Sequence, residues 1–589
     1  MNQRLRPFNP RARLAVVAIL LGLAGSALVV RAVDLQVVSK EFYQEQGDAR
    51  FLRDIAIPVS RGTIFDRNGE PLAVSTPVES IWVNPGELLK HAERIPELAR
   101  ATGLDANSLR QKLDERADRE FYFIKRHLNP DAARAVLELG IPGVASQREF
   151  KRYYPSGEVM AHVLGYTNID DRGQEGLELA FEDWLAGKRG IKRVIRDRRG
   201  HQVENVDLIA EAQPGRDLTI SLDRRIQYLA YRELKAALAE HHASSGSMVI
   251  LDVPTGEILA MVNQPSFNPN ARNVIDPAWR RNRAVTDVVE PGSTMKAFTI
   301  SAALESGKWQ PHTPIDTNPG TYSLYGHTIS DVHNKGLIDV TGVITYSSNV
   351  GAAKIAATLS REDMYNLFHR FGFGEPTASG FPGEASGYLP IARDWGPVEQ
   401  ATIAYGYGLS VTPLQLAQGY AVLADGGVLH APTFVKGARN PPRHVVDPAI
   451  AATLRGMLET VIVPPGGGVR AGVRNYRVAG KTGTSRTAIG GGYEKKYISL
   501  FAGMVPASAP RLVGVVVIHD PQGVFYGALV AAPVFGRVMD GALRLLDVPP
   551  DDVRNWYVGD PEAQPAGATR WTRASAPIAP ASYEEGVPE

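Results

Sequence analysis

The hydrophobic pattern changes period several times along the chain. Leu14 to Val30, LAVVAILLGLAGSALVV, is an unbroken uncharged run. At about 1.5 Å per residue, a helix of that length crosses most of a ~30 Å hydrocarbon core. From about Ser39 to Pro214, short β-type runs (FLRDIAIPV, SIWVN) alternate with helical patterns (ELLKHAERIPELARAT, DAARAVLELG). RGTIFDRNGEPLA, Arg61 to Ala73, predicts a strand, a turn and a strand. QPGRDLTISLD, Gln213 to Asp223, has the form of a boundary: a Pro-Gly turn, a short strand, then a new helix. That helix, RRIQYLAYRELKAALAEHH, places Ile226, Leu229, Ala230, Leu234, Ala237 and Leu238 on one stripe. No internal repeat is visible.

In SMVILDVPTGEILAMV two apolar runs flank a Pro-Thr-Gly turn, the pattern of an antiparallel hairpin. RNYRVAGKTGTS, SLFAGMVP and LVGVVVIHD give three more strands near the far end. Between the early and late β segments lie helical patterns: one opening at Ser293, one around Val343 to Leu359, and TPLQLAQGYAVLADGG. The last begins with Thr412 as N-cap, Pro413 at the first helical position and Gln415 completing a capping box, and it stops at Gly426. Helices inserted between β segments that can share one sheet predict an α+β domain, with its site where sheet and helices meet. After Val548 the chain is rich in Pro, Ala and Ser, and disorder is expected there.

Charge and composition narrow the function classes. The chain has 589 residues, 22% of them charged, with a formal net charge of +1, so no global field points to nucleic acid. Cysteine is absent, which excludes disulfides, a thiolate nucleophile and zinc–cysteine sites. The 13 histidines are scattered with no HExxH, and neither a metal nor a cofactor is expected. His241 and His242 close a predicted helix, where cations suit the dipole. Arg4, Arg6, Arg11 and Arg13 precede the apolar run, and Arg31 after it can snorkel to the far interface. The basic flank belongs in the cytoplasm, which sends everything after Arg31 outside. A cleaved signal peptide is the rival reading. The run is long for one, and no small-x-small cleavage site follows it, which favours an uncleaved single-pass anchor.

EPGSTMKAF, Glu290 to Phe298, carries the first chemistry. A serine hydroxyl is a weak nucleophile until a base takes its proton. Ser293 and Lys296, three residues apart at a helix start, share a face, and a lysine accepts a proton only while its amine is neutral. Burial and a second positive charge would both lower its pKa. Alone, S-x-x-K also fits an ordinary N-cap.

Two companions follow in order: Ser347-Ser348-Asn349 between two helical pieces, and Lys481-Thr482-Gly483-Thr484 on a predicted strand. S-x-x-K, S-x-N and K-T-G together form the signature of penicillin-binding proteins and class A β-lactamases. Ser347 can relay a proton, and Asn349 can orient a substrate amide. Lys481 can hold a substrate carboxylate and depress the pKa of Lys296. Gly483 lets a substrate backbone approach the strand. The N–H groups of Thr484 and Ser293 can form an oxyanion hole.

From Arg61 to about Val538 the chain resembles the class B penicillin-binding proteins. RGTIFDRNGEPLA, KRYYPSGEVMAHVLGYTN and GQEGLELAFEDWLAGKRG are similar to that family's pedestal; NRAVTDVVEPGSTMK, SSNVG, AYGYGLSVTPLQLAQGYAVLADGG and VAGKTGT are similar to its catalytic domain. NRAVTDVVEPGSTMK, SSNVG and GYGLSVTPLQLA resemble the cell-division, FtsI-type branch more than the elongation branch. No segment resembles a glycosyltransferase domain.

The resemblance implies a penicillin-binding/serine transpeptidase fold: an antiparallel sheet with helices on both faces and an inserted helical subdomain, preceded by an elongated mixed pedestal. The expected boundaries are a cytoplasmic tail (1–13), an anchor (14–33), a pedestal of the family's dimerisation type (39–215), a transpeptidase domain (216–547) and the tail (548–589). It implies that Ser293 attacks the penultimate D-alanine of a stem pentapeptide, that an amine of a neighbouring stem resolves the acyl-enzyme into a cross-link, and that β-lactams acylate the same serine. The expected substrate-binding residues are Thr482, Gly483, Thr484, Tyr405 and Tyr407. For the two tyrosines of AYGYG, an aromatic wall and core packing stand side by side. Arg61 and Asp66 are expected to brace the pedestal by salt bridge and turn. The implied setting is the inner membrane at the division septum, with the bulk in the periplasm. The implied partners are a polytopic glycan polymerase and other division proteins. An elongation-type transpeptidase, a membrane-tethered carboxypeptidase or β-lactamase, and a non-catalytic scaffold or β-lactam sensor are the alternatives.

Overall fold

The computed structural model describes residues 10–41, 52–196, 202–271, 276–489 and 492–552. The apolar run forms helix α1 (Pro10–Val33). Arg13–Val38 is the segment among the described residues long and apolar enough to cross a membrane, and it is unburied by the rest of the chain. The expected disordered tail lies outside the described residues from 553 onward.

The pedestal strands are β1 (Leu52–Ile57), β2 (Ile64–Phe65), β3 (Pro71–Val83), β4 (Tyr122–Leu128), β5 (Val144–Tyr153), β6 (Gly190–Arg196), β7 (Gln202–Ala210) and β8 (Leu218–Thr219). They form an outlying β1-β6-β7 sheet and a second sheet in which the long β3 pairs with β2, β4 and β5. The DRNG turn forms as predicted: the Asp66 carboxylate accepts from the backbone N–H of Asn68 (2.7 Å) and Glu70 (2.9 Å). Arg61 makes the expected salt bridge from a fully buried position, reaching Glu178 at 2.6 Å and Glu182 at 2.7 Å. Arg152 meets the other Glu178 oxygen at 2.6 Å.

The segment expected to open the second domain differs from the sequence reading. β8 pairs in parallel with β2, and the next residue, Ile220, bridges to Val435. One short strand therefore joins the pedestal sheet to the second unit. A continuous core, containing Ile64, Leu72 and Leu164 as well as Ile226 and Leu234, runs across this junction. It holds the pedestal base and the second unit together by apolar burial.

The second unit opens with α2 (Arg224–Glu240), capped by Asp223. The predicted hairpin is β9 (Ser245–Asp252) and β10 (Ile258–Gln264). The helices that matter to the site are α3 (Lys296–Glu305), α4 (Val340–Thr345), α5 (Asn349–Ala356) and α6 (Pro413–Ala424). The late strands are β11 (Ala479–Ile489), β12 (Gly492–Val505) and β13 (Leu512–His519), followed by α7 (Gly527–Leu545). They complete an antiparallel sheet of order β10-β9-β13-β12-β11, so the first and last β segments do share one sheet. β9, β10 and β13 are near-continuous buried runs because helices cover both faces. The KTG strand β11 is the edge.

Helix α6 carries the capping box of Thr412 and Gln415, a feature worth about 1 kcal/mol. It lies buried beneath α3. Phe298 on α3 packs edge-on against Phe371, Phe373 and Tyr420 at 4.8–5.5 Å. Gly419 leaves room for this ring, since a Cβ there would stand 2.9 Å from it.

Candidate active site

The Ser293 turn is tighter than the sequence pattern implied. Gly292–Met295 form a 3₁₀ turn, and the α-helix proper begins at Lys296. Gly292 has φ +52°, a backbone region that glycine enters freely. The Tyr420 hydroxyl donates to the Thr294 carbonyl at 2.9 Å, fastening the turn to α6. Behind the turn, the Gly292 N–H reaches the Gly406 carbonyl at 3.1 Å. A Cβ on Gly406 would stand 2.1 Å from the Gly292 carbonyl oxygen, so the middle residue of AYGYG is held to glycine by this close approach.

Ser293, Lys296, Ser347, Asn349 and Lys481 converge in one cleft. The Lys296 amine donates to Ser293 Oγ (3.0 Å), Asn349 Oδ1 (2.7 Å) and the Ser347 carbonyl (2.5 Å), and it lies 3.3 Å from Ser347 Oγ. The Lys481 amine, from β11, donates to the same Ser347 hydroxyl at 2.9 Å. Ser347 thus stands between two lysines that are 185 residues apart in the chain. It does so from a left-handed backbone (φ +60°), in the break between α4 and α5. The sequence pattern placed these residues between two helical pieces, as they are.

Both amines are fully buried. Burial, and then the charge of Lys481, hold Lys296 well below the ordinary lysine range, while Asp331 pulls in the opposite direction. Burial pushes Lys481 down to about 7. Lys296 therefore has a neutral fraction to accept the serine proton, at a site where no water need do so.

Asp331 carries no sequence signal, standing 16 residues before Ser347 in no motif spacing. Its carboxylate accepts from Ser348 Oγ (2.6 Å) and from the N–H groups of Asn349 (2.5 Å) and Val350 (3.0 Å). It thereby caps α5 and fixes the Ser347 turn.

The KTGT residues divide by strand face. Lys481 points to Ser347. The Thr484 hydroxyl accepts from the Gly527 N–H at 3.0 Å, at the start of α7. At Gly483 a Cβ would lie 3.0 Å from both the Pro291 carbonyl and Thr294 Cγ2. The missing side chain seats the strand against the nucleophile's turn. Thr482, half-buried, follows Lys481, whose amine also reaches its carbonyl at 3.3 Å. The two AYGYG tyrosines pack differently. Tyr405 packs on the core, and its ring meets Tyr407 edge-on at 5.8 Å. Tyr407 in turn meets Tyr493 on β12 at 5.9 Å, forming a wall beside the turn. Burial pushes the Tyr405 phenol up to about 12, so it stays neutral. Among the described residues, no cluster of three His, Cys, Asp or Glu could hold a metal.

Comparisons with known proteins identify the family. Residues 246–540 match the family described as the penicillin-binding protein transpeptidase domain, and residues 56–220 match the penicillin-binding protein dimerisation domain. The chain belongs to the penicillin-binding protein transpeptidase family. Among this family, it is 44% identical over 546 residues to a probable peptidoglycan D,D-transpeptidase PbpC of Pseudomonas aeruginosa, covering 92% of this chain and 97% of that one. It is 42% identical over 537 residues to the peptidoglycan D,D-transpeptidase FtsI of Escherichia coli, covering 90% and 91%. A crystal structure of penicillin-binding protein 3 from Mycobacterium tuberculosis, complexed with aztreonam, superimposes with a TM-score of 0.66 at 27% identity. That match covers 84% of this chain and 98% of the other. The fold is the class B arrangement of a dimerisation-type domain before a transpeptidase domain, and one apolar N-terminal helix suits a single-pass anchor.

Proposed function

We propose that this penicillin-binding protein cross-links peptidoglycan stem peptides as a D,D-transpeptidase, through an ester on Ser293. The observation that carries the reading is the buried Lys296 amine, 3.0 Å from Ser293 Oγ and depressed by its surroundings. In acylation, Ser293 Oγ bonds to the carbonyl carbon of the penultimate D-alanine, and its proton passes to neutral Lys296. The tetrahedral oxyanion is taken by the N–H groups of Ser293 and Thr484. As the C–N bond breaks, a proton returns through the Ser347 hydroxyl to the departing D-alanine nitrogen. Lys481, with Thr482 and Thr484 beside it, faces the terminal carboxylate. Asn349 orients the peptide amide while its Oδ1 holds Lys296. An acceptor amine then attacks the ester, loses its proton by the same relay and frees Ser293. A β-lactam enters by the first step.

The relatives named FtsI and PenA support the division septum as the place of action. The arginines before Leu14 support an N-terminus in the cytoplasm and the catalytic bulk in the periplasm. A polytopic glycan polymerase and other division proteins are the partners this reading calls for. An anchor confines the enzyme to the surface where its precursors are tethered.

The test uses full-length protein in detergent with uncross-linked peptidoglycan bearing pentapeptide stems. The expected products are cross-linked dimers with an equivalent of free D-alanine, both lost in Ser293→Ala. D-alanine release without dimers would make the enzyme a carboxypeptidase. A fluorescent fusion is expected at midcell; a lateral-wall pattern alone would assign it to elongation.

A further inference from the structure

Glu290 stands three residues before Ser293 and takes no part in the steps above. Its carbonyl accepts from Ser485 Oγ on β11 at 2.9 Å. Its Oε1 accepts from the Gly408 N–H at 2.8 Å and from the Tyr493 hydroxyl at 3.2 Å. One residue therefore touches the AYGYG loop and both strands of the β11–β12 hairpin. The ties fall where the backbone ladder is weakest: the β11–β12 register shifts between Arg486 and Ala488, just before the Tyr493 pairing. Glu290 Oε2 is buried and finds no hydrogen-bond partner among the described residues. Burial raises the carboxyl above its usual range. An ionised carboxylate held this way costs stability. The loop it holds is the one whose Gly406 is pressed against Gly292.

We propose that Glu290 is a positioning residue for acylation: its carboxylate fastens the Tyr405–Gly408 loop and the outer half of the β11–β12 hairpin to the turn carrying Ser293, fixing the width of the cleft mouth. The inference rests on the transpeptidase reading and deepens it. With the latch made, Tyr407 and Tyr493 form a fixed wall beside the nucleophile. With it open, the KTG strand remains in place but its outer half drifts, and substrate is held less well in line for attack.

The ionisable groups around Glu290 are Tyr407 from the loop and Tyr493 from β12; Tyr405 acts on Tyr493, and Arg486 and Tyr497 act on Tyr407 from the same hairpin. Burial raises the phenols of Tyr405, Tyr407 and Tyr493, so these three stay neutral through the range tested. Glu290 is then the latch group that gains a proton on acidification.

The experiment measures the second-order acylation rate of the full chain in detergent by a fluorescent penicillin, for wild type, Glu290→Gln, Tyr493→Phe and the double variant. Glu290→Gln is expected to slow acylation about tenfold, since hydrogen bonds to a charged group are the stronger kind. It is expected to melt no lower than wild type at pH 7, because the cost of the buried charge is gone. Tyr493→Phe is expected to slow acylation severalfold, and the double variant to match Glu290→Gln alone. At the acid end the wild-type rate is expected to fall with two protons, and that of Glu290→Gln with one. Wild-type acylation in Glu290→Gln, independent losses that multiply, or a loss matched by a fall in melting temperature would each overturn the latch. Wild-type protein that takes no label at all would instead overturn the transpeptidase reading.

Discussion

Replacing Lys481 with Gln probes how the site makes Lys296 a base. Each amine lies within 3.3 Å of the Ser347 hydroxyl, so they stand no more than about 6 Å apart, where two unit charges at an effective dielectric of about 20 repel by about 2–3 kcal/mol. That repulsion disfavours the charged form of Lys296, and its removal raises the Lys296 pKa. Lys481 itself titrates at about 7, so the full effect appears below that pH. A higher pKa leaves less neutral amine at neutral pH. Acylation of Lys481→Gln by a penicillin should therefore be slowed about 10- to 100-fold at pH 6, less at pH 7, and recover at alkaline pH as Lys296 deprotonates. Stopped-flow acylation from pH 5 to about 9.5 reads this as an upward shift of the acid-side midpoint. A loss of rate by the same factor at every pH, with the midpoint unmoved, would refute the reasoning and leave Lys481 as a substrate-binding charge only.

Other perturbations read the scaffold. Gly406→Ala forces a methyl to within 2.1 Å of the Gly292 carbonyl at a φ of +92°, and is expected to cost about 3 kcal/mol or more, read by thermal melting together with loss of penicillin labelling; an unchanged melt would contradict the close approach. Glu178→Gln removes the carboxylate that pairs two buried arginines and is expected to destabilise the chain by about 3–5 kcal/mol in urea unfolding. A change below about 1 kcal/mol would mean that these buried ion pairs do not hold the pedestal together. N-terminal sequencing of the membrane-bound protein is expected to begin before Leu14, and a start beyond Val30 would make the apolar run a removed leader.

The parts of the fold visible in the sequence are those set by local pattern. The β9–β10 hairpin follows from two apolar runs around Pro-Thr-Gly, and α6 from its Thr412–Gln415 box, because each signal lies within a few residues of the structure it makes. The three catalytic motifs were legible as residue types in order, and their meeting was an expectation that the cleft bears out. What remained hidden depends on contacts distant in sequence. Asp331 acts on α5 from a separate segment, and Glu290 acts through Gly408 and Tyr493. The left-handed backbone of Ser347, in the break between the two helical pieces, has no local sequence signal. A strand glycine signals close approach without saying what approaches; at Gly483 the Pro291–Thr294 turn does so. β8 looked like the start of a new domain because its partner, β2, lies some 150 residues earlier.

The central claim is that Ser293 is the nucleophile and Lys296 its base. Intact-mass and peptide mapping of the full-length protein after brief exposure to benzylpenicillin tests it most directly. The account predicts one penicilloyl adduct per chain, mapped to Ser293, long-lived, absent in Ser293→Ala and slowed at least about a thousandfold in Lys296→Ala. An adduct on another residue, or undiminished acylation without the Lys296 amine, would contradict it.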